Sequence, residues 1–212
     1  MRVKVCGMTI LTQLKELEDC GVDFAGLIFY EKSPRFVSKS GLTPELLKKE
    51  GLKLNRVGVF VNETAEKLLK TVDEWKLDLV QLHGDESPRY CEQISNHVNT
   101  IKAFRIGKDE NIPYKIHPYE DAADLYLFDT MGQQFGGTGE KFEWEMLLKA
   151  PITKPFFLSG GIAPDDTKAI KKFALKTNKL FALDINSKFE TAPGKKDMKK
   201  IKEFISQIKN IE

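Results

Sequence analysis

Eight short apolar runs, each followed by a stretch of helical character, recur roughly every 20 to 32 residues, and this alternation constrains the fold more than any other feature. The runs fall at residues 3–5, 24–29, 57–61, 79–82, 100–104, 125–128, 156–158 and 180–183. Phe24-Ala25-Gly26-Leu27-Ile28-Phe29 is apolar throughout, the composition of a strand covered on both faces. Between the runs, Thr9, Thr64 and Ser87 stand where helix caps are needed, and Pro44 and Pro88 suit first turns. Leu11, Leu14 and Leu17 share one helical face, closed by Gly21. Pro164-Asp165-Asp166 should start another helix, and the last is expected over 197–209; the weakly periodic stretch 107–123 has room only for a short one. Eight βα units without an evident linker point to a single (β/α)8 TIM barrel domain spanning 1–212. A doubly wound open sheet is the competing arrangement, disfavoured because no G-x-G-x-x-G turn follows the first strand.

Charge is nearly balanced, 33 basic against 31 acidic residues, which does not suggest a nucleic-acid partner. Lys195, Lys196, Lys199, Lys200 and Lys202 cluster near the C-terminus, interleaved with Ile201, Phe204, Ile205 and Ile208, and read as the solvated face of a helix. Three cysteines without paired spacing suit a reducing compartment rather than a disulfide framework or a zinc site. No run approaches the ~18 apolar residues of a membrane span, and Arg2-Val3-Lys4-Val5 is no secretory leader, so the expected location is the cytoplasm without membrane attachment.

In such a barrel the residues at the carboxyl ends of the strands share one rim. Those residues are Cys6, Arg35, Asn62, His83, Arg105, Asp129, the Ser159-Gly160-Gly161 loop and Asp184. Asp129 ends the apolar run Leu125-Tyr126-Leu127-Phe128 and precedes Gly136-Gly137-Thr138-Gly139, which reads as a loop able to close over a ligand; Phe142 and Trp144 then anchor the following helix. Cys6 reads two ways, as a small buried hydrophobe or as a base made reactive by a cationic neighbour such as Lys4. Cys20 and Cys91 fall on helices and read as structural. Gly160 and Gly161, together with Asn186-Ser187 after the eighth strand, look like a phosphate cradle, although glycine also ends strands as plain turn chemistry. Arg35 is either a surface arginine or a fork for a carboxylate or phosphate. His83 is equally two-sided, and three histidines without ligand spacing make a metal site unexpected.

Several motifs, in order, resemble the phosphoribosylanthranilate isomerase family. They are Lys4-Val5-Cys6-Gly7-Met8-Thr9, Val57-Gly58-Val59-Phe60-Val61-Asn62, Val80-Gln81-Leu82-His83-Gly84-Asp85-Glu86, Leu158-Ser159-Gly160-Gly161 and Pro193-Gly194-Lys195-Lys196-Asp197, with Asp129-Thr130 and the segment 136–144 between them. The resemblance implies a (β/α)8 barrel that rearranges N-(5-phospho-β-D-ribosyl)anthranilate into 1-(2-carboxyphenylamino)-1-deoxy-D-ribulose 5-phosphate, a step of tryptophan biosynthesis, without metal or cofactor. It implies Cys6 as general base and Asp129 as general acid, with the acid duty requiring a carboxyl kept protonated by burial or by bound substrate. It further implies Arg35 on the substrate carboxylate, and Gly160, Gly161 and the segment after Asp184 on its phosphate. His83, Asp184, Asn186 and Ser187 join the candidate substrate contacts. The phosphorylated small molecule is the expected partner, and a monomer or homodimer the expected assembly. One departure stands out: the family commonly reads D-V-S-S-G-V-E where this chain has Asp184-Ile185-Asn186-Ser187-Lys188-Phe189-Glu190. Asn186 is expected to keep the backbone contacts by tolerating a left-handed conformation. A barrel that binds a sugar phosphate without turning it over, or an isomerase for another aminosugar phosphate, remains as an alternative.

Overall fold

The computed structural model describes residues 1–130 and 143–209. The strands are β1 (Arg2–Val5), β2 (Phe24–Ile28), β3 (Asn55–Phe60), β4 (Leu79–Leu82), β5 (Asn99–Ile106), β6 (Leu125–Thr130), β7 (Phe156–Leu158) and β8 (Leu180–Ile185). Each pairs in parallel with the next, and β8 returns to β1 through Arg2↔Ala182 to Val5↔Ile185, closing an eight-stranded barrel. The crossovers carry α1 (Leu11–Asp19), α2 (Pro44–Glu50), α3 (Ala65–Trp75), α4 (Pro88–Ser95), α5 (Ile112–Ile116), α6 (Glu145–Lys149) and α7 (Thr167–Ala174), and α8 (Met198–Lys209) follows β8. The open-sheet alternative is therefore excluded.

Strand alternation decides what the barrel holds. Phe24, Val57, Leu79, Ile101, Ala103, Leu127, Phe157 and Ala182 point inward and pack with one another, apart from the larger core between sheet and helices. Two residues further along these strands, the same inward parity yields Gly26, Val59, Gln81, Arg105, Asp129, Ser159 and Asp184, so an apolar plug supports a polar mouth.

Most local signals act as expected. Thr64 and Ser87 accept from Lys67 N and Tyr90 N at the starts of α3 and α4. Trp144 is buried beside α6 and meets Phe173 edge-on. The Gly136–Gly139 loop and Phe142 lie outside the described residues. Thr9 is a correction: α1 has Ile10 at its cap without a side-chain bond, and the Thr9 hydroxyl donates instead to Gly194 O at 2.5 Å. Pro164–Asp166 form a 3₁₀ turn before α7 rather than its first turn. A second correction concerns the lysine cluster. Residues before α8 form an antiparallel hairpin, β9 (Glu190–Ala192) with β10 (Lys195–Lys196). Lys195, Lys199, Lys200 and Lys202 are exposed as expected, but Lys196 is 2% exposed. Helical spacing could not reveal this, because Lys196 precedes the helix.

Candidate active site

The carboxyl ends of the strands surround a cavity of about 760 Å³. Cys6, Arg35, His83, Asp129, Gly160, Gly161, Asp184, Asn186 and Ser187, all singled out from the sequence, line it. Asn62 does not. Its backbone is left-handed, φ 51°, and its side-chain oxygen accepts from Asp85 N, so it shapes the loop after β4.

Cys6 follows β1 with its amide held by Ile185 O at 2.9 Å. Two residues earlier on the same strand face lies Lys4, fully buried, its ammonium 2.8 Å from Asp184 Oδ1 and near enough to the Cys6 sulfur to favour a thiolate there. Burial works against the Lys4 charge, but Asp184 and Cys6 outweigh it and hold the ammonium above its ordinary range. Burial raises the Asp184 carboxyl too, against the pull of Lys4. A fully buried ammonium at 2.8 Å needs an anionic acceptor, so the pair stands as two ions. Burial also pushes the Cys6 thiol up, and Lys4 offsets this only in part. The site therefore stores a thiol beside a cation ready to receive a thiolate. Alkylation of Cys6 by iodoacetamide should accordingly accelerate about tenfold per pH unit from pH 7 to pH 9. Peptide mass spectrometry separates it from Cys91, buried in α4 with its thiol pushed up to about 11, and from Cys20, just past α1. A rate independent of pH over that range would show the thiolate already formed.

Asp129 is the penultimate residue of β6, three strands from β1 by way of β7 and β8. Its Oδ1 accepts from Thr130 N at 2.9 Å, and Oδ2 lies 3.3 Å from His83 Nε2. Gln81, an inward neighbour on β4, places its amide nitrogen 2.7 Å from His83 Nδ1. With the amide so oriented, Nδ1 accepts and the ring proton sits on Nε2, facing the carboxylate at an angle short of a hydrogen bond. The loop carrying His83 is fixed from outside: Glu86 accepts from Asn62 N and Gly84 N, and buried Lys102 bridges Glu86 Oε2 and Gly84 O.

Gly160 and Gly161 have φ of 85° and 68°. A methyl on Gly160 would lie 2.7 Å from Thr130 N and also meet the Thr130 hydroxyl, so β6 and the loop after β7 can approach only with glycine there. Ser159 Oγ reaches toward Asp184 Oδ2 at 3.5 Å. Asn186 departs from expectation: its φ is −147°, not left-handed, and its Oδ1 accepts from Lys196 Nζ at 2.8 Å. Lys188 is exposed and does not line the cavity. Arg35, expected as a ligand fork, already lies against Glu190. Arg105 also lines the cavity and pairs with Asp85. Among the described residues no group of three or more His, Cys, Asp or Glu is placed to hold a metal ion, and no helix is long and apolar enough to cross a membrane.

The family model for N-(5'phosphoribosyl)anthranilate (PRA) isomerase matches residues 3–207. The N-(5'-phosphoribosyl)anthranilate isomerase of Parabacteroides distasonis is 40% identical over 98% of this chain and 93% of its own length. Among solved structures, monomers of the dimeric phosphoribosylanthranilate isomerase from Thermotoga maritima superpose with a TM-score of 0.81 at 31% identity, covering both chains completely. A phosphoribosyl anthranilate isomerase in complex with reduced 1-(o-carboxyphenylamino)-1-deoxyribulose 5-phosphate gives a TM-score of 0.79 at 30% identity, again with full coverage of both. With its barrel and nearly its whole length matched, the chain belongs to the phosphoribosylanthranilate isomerase family.

Proposed function

We propose that the rim cavity converts N-(5-phospho-β-D-ribosyl)anthranilate into 1-(2-carboxyphenylamino)-1-deoxy-D-ribulose 5-phosphate, the family's step in tryptophan biosynthesis, with Cys6 as general base and Asp129 as general acid. The observation that carries this assignment is that Cys6 and Asp129 stand on separate walls of one cavity, with the Lys4 ammonium beside the sulfur where a thiolate would form. Lys4 stands against Cys6, and His83 stands against Asp129.

The acid and the base carry the first two proton movements, and the closing tautomerisation moves a proton from the C2 hydroxyl to C1. Asp129 protonates the ribose ring oxygen while the anilino nitrogen lone pair expels it from C1, opening the ring to a protonated Schiff base. Cys6 reacts as the thiolate that Lys4 favours, its own proton having first left to solvent: it takes the C2 proton, and the electrons of that C–H bond flow to the iminium nitrogen to give an enolamine. Tautomerisation leaves a ketone at C2 and a methylene at C1. The reaction is internally balanced, since C1 is reduced as C2 is oxidised, and it requires no external electron carrier. Each positioned acid or base is worth about 10²–10⁴ in rate. Arg35 takes the anthranilate carboxylate, the loops with Gly160, Gly161, Asn186 and Ser187 take the phosphate, and His83 and Asp184 complete the polar wall around the ribose. The chain works in the cytoplasm on this small molecule, as a monomer or homodimer.

The purified protein should deplete the anthranilate substrate in a continuous fluorescence assay, saturably and without added metal or cofactor. Binding of the substrate with no turnover at any concentration would assign the cavity to a sugar-phosphate-binding module instead.

A further inference from the structure

Arg35 is backed by a buried ionic cluster that nothing in the proton chemistry uses. Glu190, whose side chain is 4% exposed, accepts from Arg35 Nε at 2.9 Å and from Nη2 at 2.6 Å. Its other contacts are Lys196 Nζ at 2.7 Å and Gly194 N at 3.1 Å. Lys196 is anchored in turn. Its backbone exchanges two bonds with the Gln13 amide, at 2.7 and 2.9 Å, and its ammonium also donates to Asn186. The stem of Arg35 crosses Gly7 so closely that a methyl there would lie 2.6 Å from Arg35 Cδ. The β9–β10 hairpin thus clasps the loops after β1, β2 and β8 around one guanidinium.

Two cations and one anion buried together are no better for stability than a well-packed apolar cluster. What they provide is geometry and charge. Glu190 occupies the Nε–Nη2 edge of the guanidinium, and Nη1 has no protein partner among the described residues, while the side chain lines the cavity. The Nη1–Nη2 edge is the second fork of the group and matches a carboxylate bidentately. The cluster carries an excess of one positive charge, which a ligand carboxylate would neutralise. We infer that Glu190, locked by Lys196, is a positioning residue that holds the second fork of Arg35 toward the cavity and thereby sets selectivity for a carboxylate-bearing aryl group. This rests on the reading that Arg35 receives the substrate carboxylate.

The test compares two stable ligands by titration: reduced 1-(o-carboxyphenylamino)-1-deoxyribulose 5-phosphate, and the same compound lacking its carboxyl group. Glu190→Gln should weaken the carboxylated ligand about tenfold while changing the other less than about twofold, and Lys196→Met should act in the same direction. If Glu190→Gln fails to fold, as judged by its thermal transition, Glu190→Asp, which keeps the charge but shortens its reach to Arg35, takes its place with the same expected selectivity; Lys196→Met, which itself removes a positive charge, is read only beside a Glu190 variant. The sign is diagnostic, because loss of a nearby negative charge would by itself tighten an anionic ligand. Equal weakening of both ligands, or tighter binding of the carboxylated one, overturns the inference. Arg35→Met controls the reading beneath it. If that variant weakens both ligands alike, Arg35 is not the carboxylate receptor; if it is selective while Glu190→Gln is not, only the positioning role fails.

Discussion

Cys6→Ala and Asp129→Asn are each expected to lower kcat at least about a hundredfold, a barrier increase of about 2.7 kcal/mol, with the fold intact. Neither change should unfold the barrel. Alanine at position 6 removes one sulfur from a side chain that lines the cavity, and the Cys6 amide bond to Ile185 is untouched. Asparagine at position 129 keeps an acceptor for Thr130 N and nearly the same volume. The loss belongs in kcat because neither group holds an anionic end of the substrate in the proposed mechanism; KM should move little by comparison. Stopped-flow measurement of bound substrate separates the two effects. Weakened binding with unchanged turnover per bound substrate would remove both residues from the acid and base roles.

The legibility of this site follows strand parity. Cys6, His83, Asp129, Ser159 and Asp184 could be read from the sequence because each lies at the end of an apolar run, and in a (β/α)8 barrel all such ends meet. Lys4 and Gln81 carry a weaker form of the same signal, a polar residue on the inward parity of an otherwise buried strand, two positions before Cys6 and His83. Glu190 and Lys196 fall within the motifs at 184–190 and 193–197, but nothing local showed that they meet Arg35. Glu190 meets Arg35 across 155 positions, and Gln13 meets Lys196 across 183, so only closure of the barrel brings them together. Lysines near an amphipathic helix ordinarily face water, and spacing cannot reveal that one of them precedes the helix and turns inward. Thr9 misled for a related reason: a hydroxyl beside a helix start can cap it or answer a distant carbonyl, and here Gly194 claims it.

Lys4→Met should destabilise the protein by about 3–5 kcal/mol at neutral pH, because it leaves Asp184 as a buried charge without its cation. Methionine fills the space of the lysine stem, so lost volume contributes little. Ser159 Oγ, 3.5 Å away, is the remaining side-chain neighbour and cannot replace an ammonium. Asp184 will relieve the strain by keeping its proton, which raises its folded-state pKa further above the ~3.9 of an unfolded aspartate. A raised folded value means stability is retained below the unfolded pKa and lost as pH rises through the folded one. The gap between parent and variant in urea unfolding should therefore be narrow near pH 4 and widest at pH 7 and above. Adding Asp184→Asn removes the orphaned charge and should recover most of the stability. It should not recover the chemistry at position 6. Lys4 favours the Cys6 thiolate more than Asp184 opposes it, so removing both leaves the sulfur harder to ionise than in the parent. Cys6 in the double variant should be alkylated more slowly than in the parent at every pH from 7 to 9. Recovery of stability together with parental alkylation would reduce Lys4 to a counter-ion for Asp184, whereas recovery of stability alone makes it the group that lets a buried thiol act as a base.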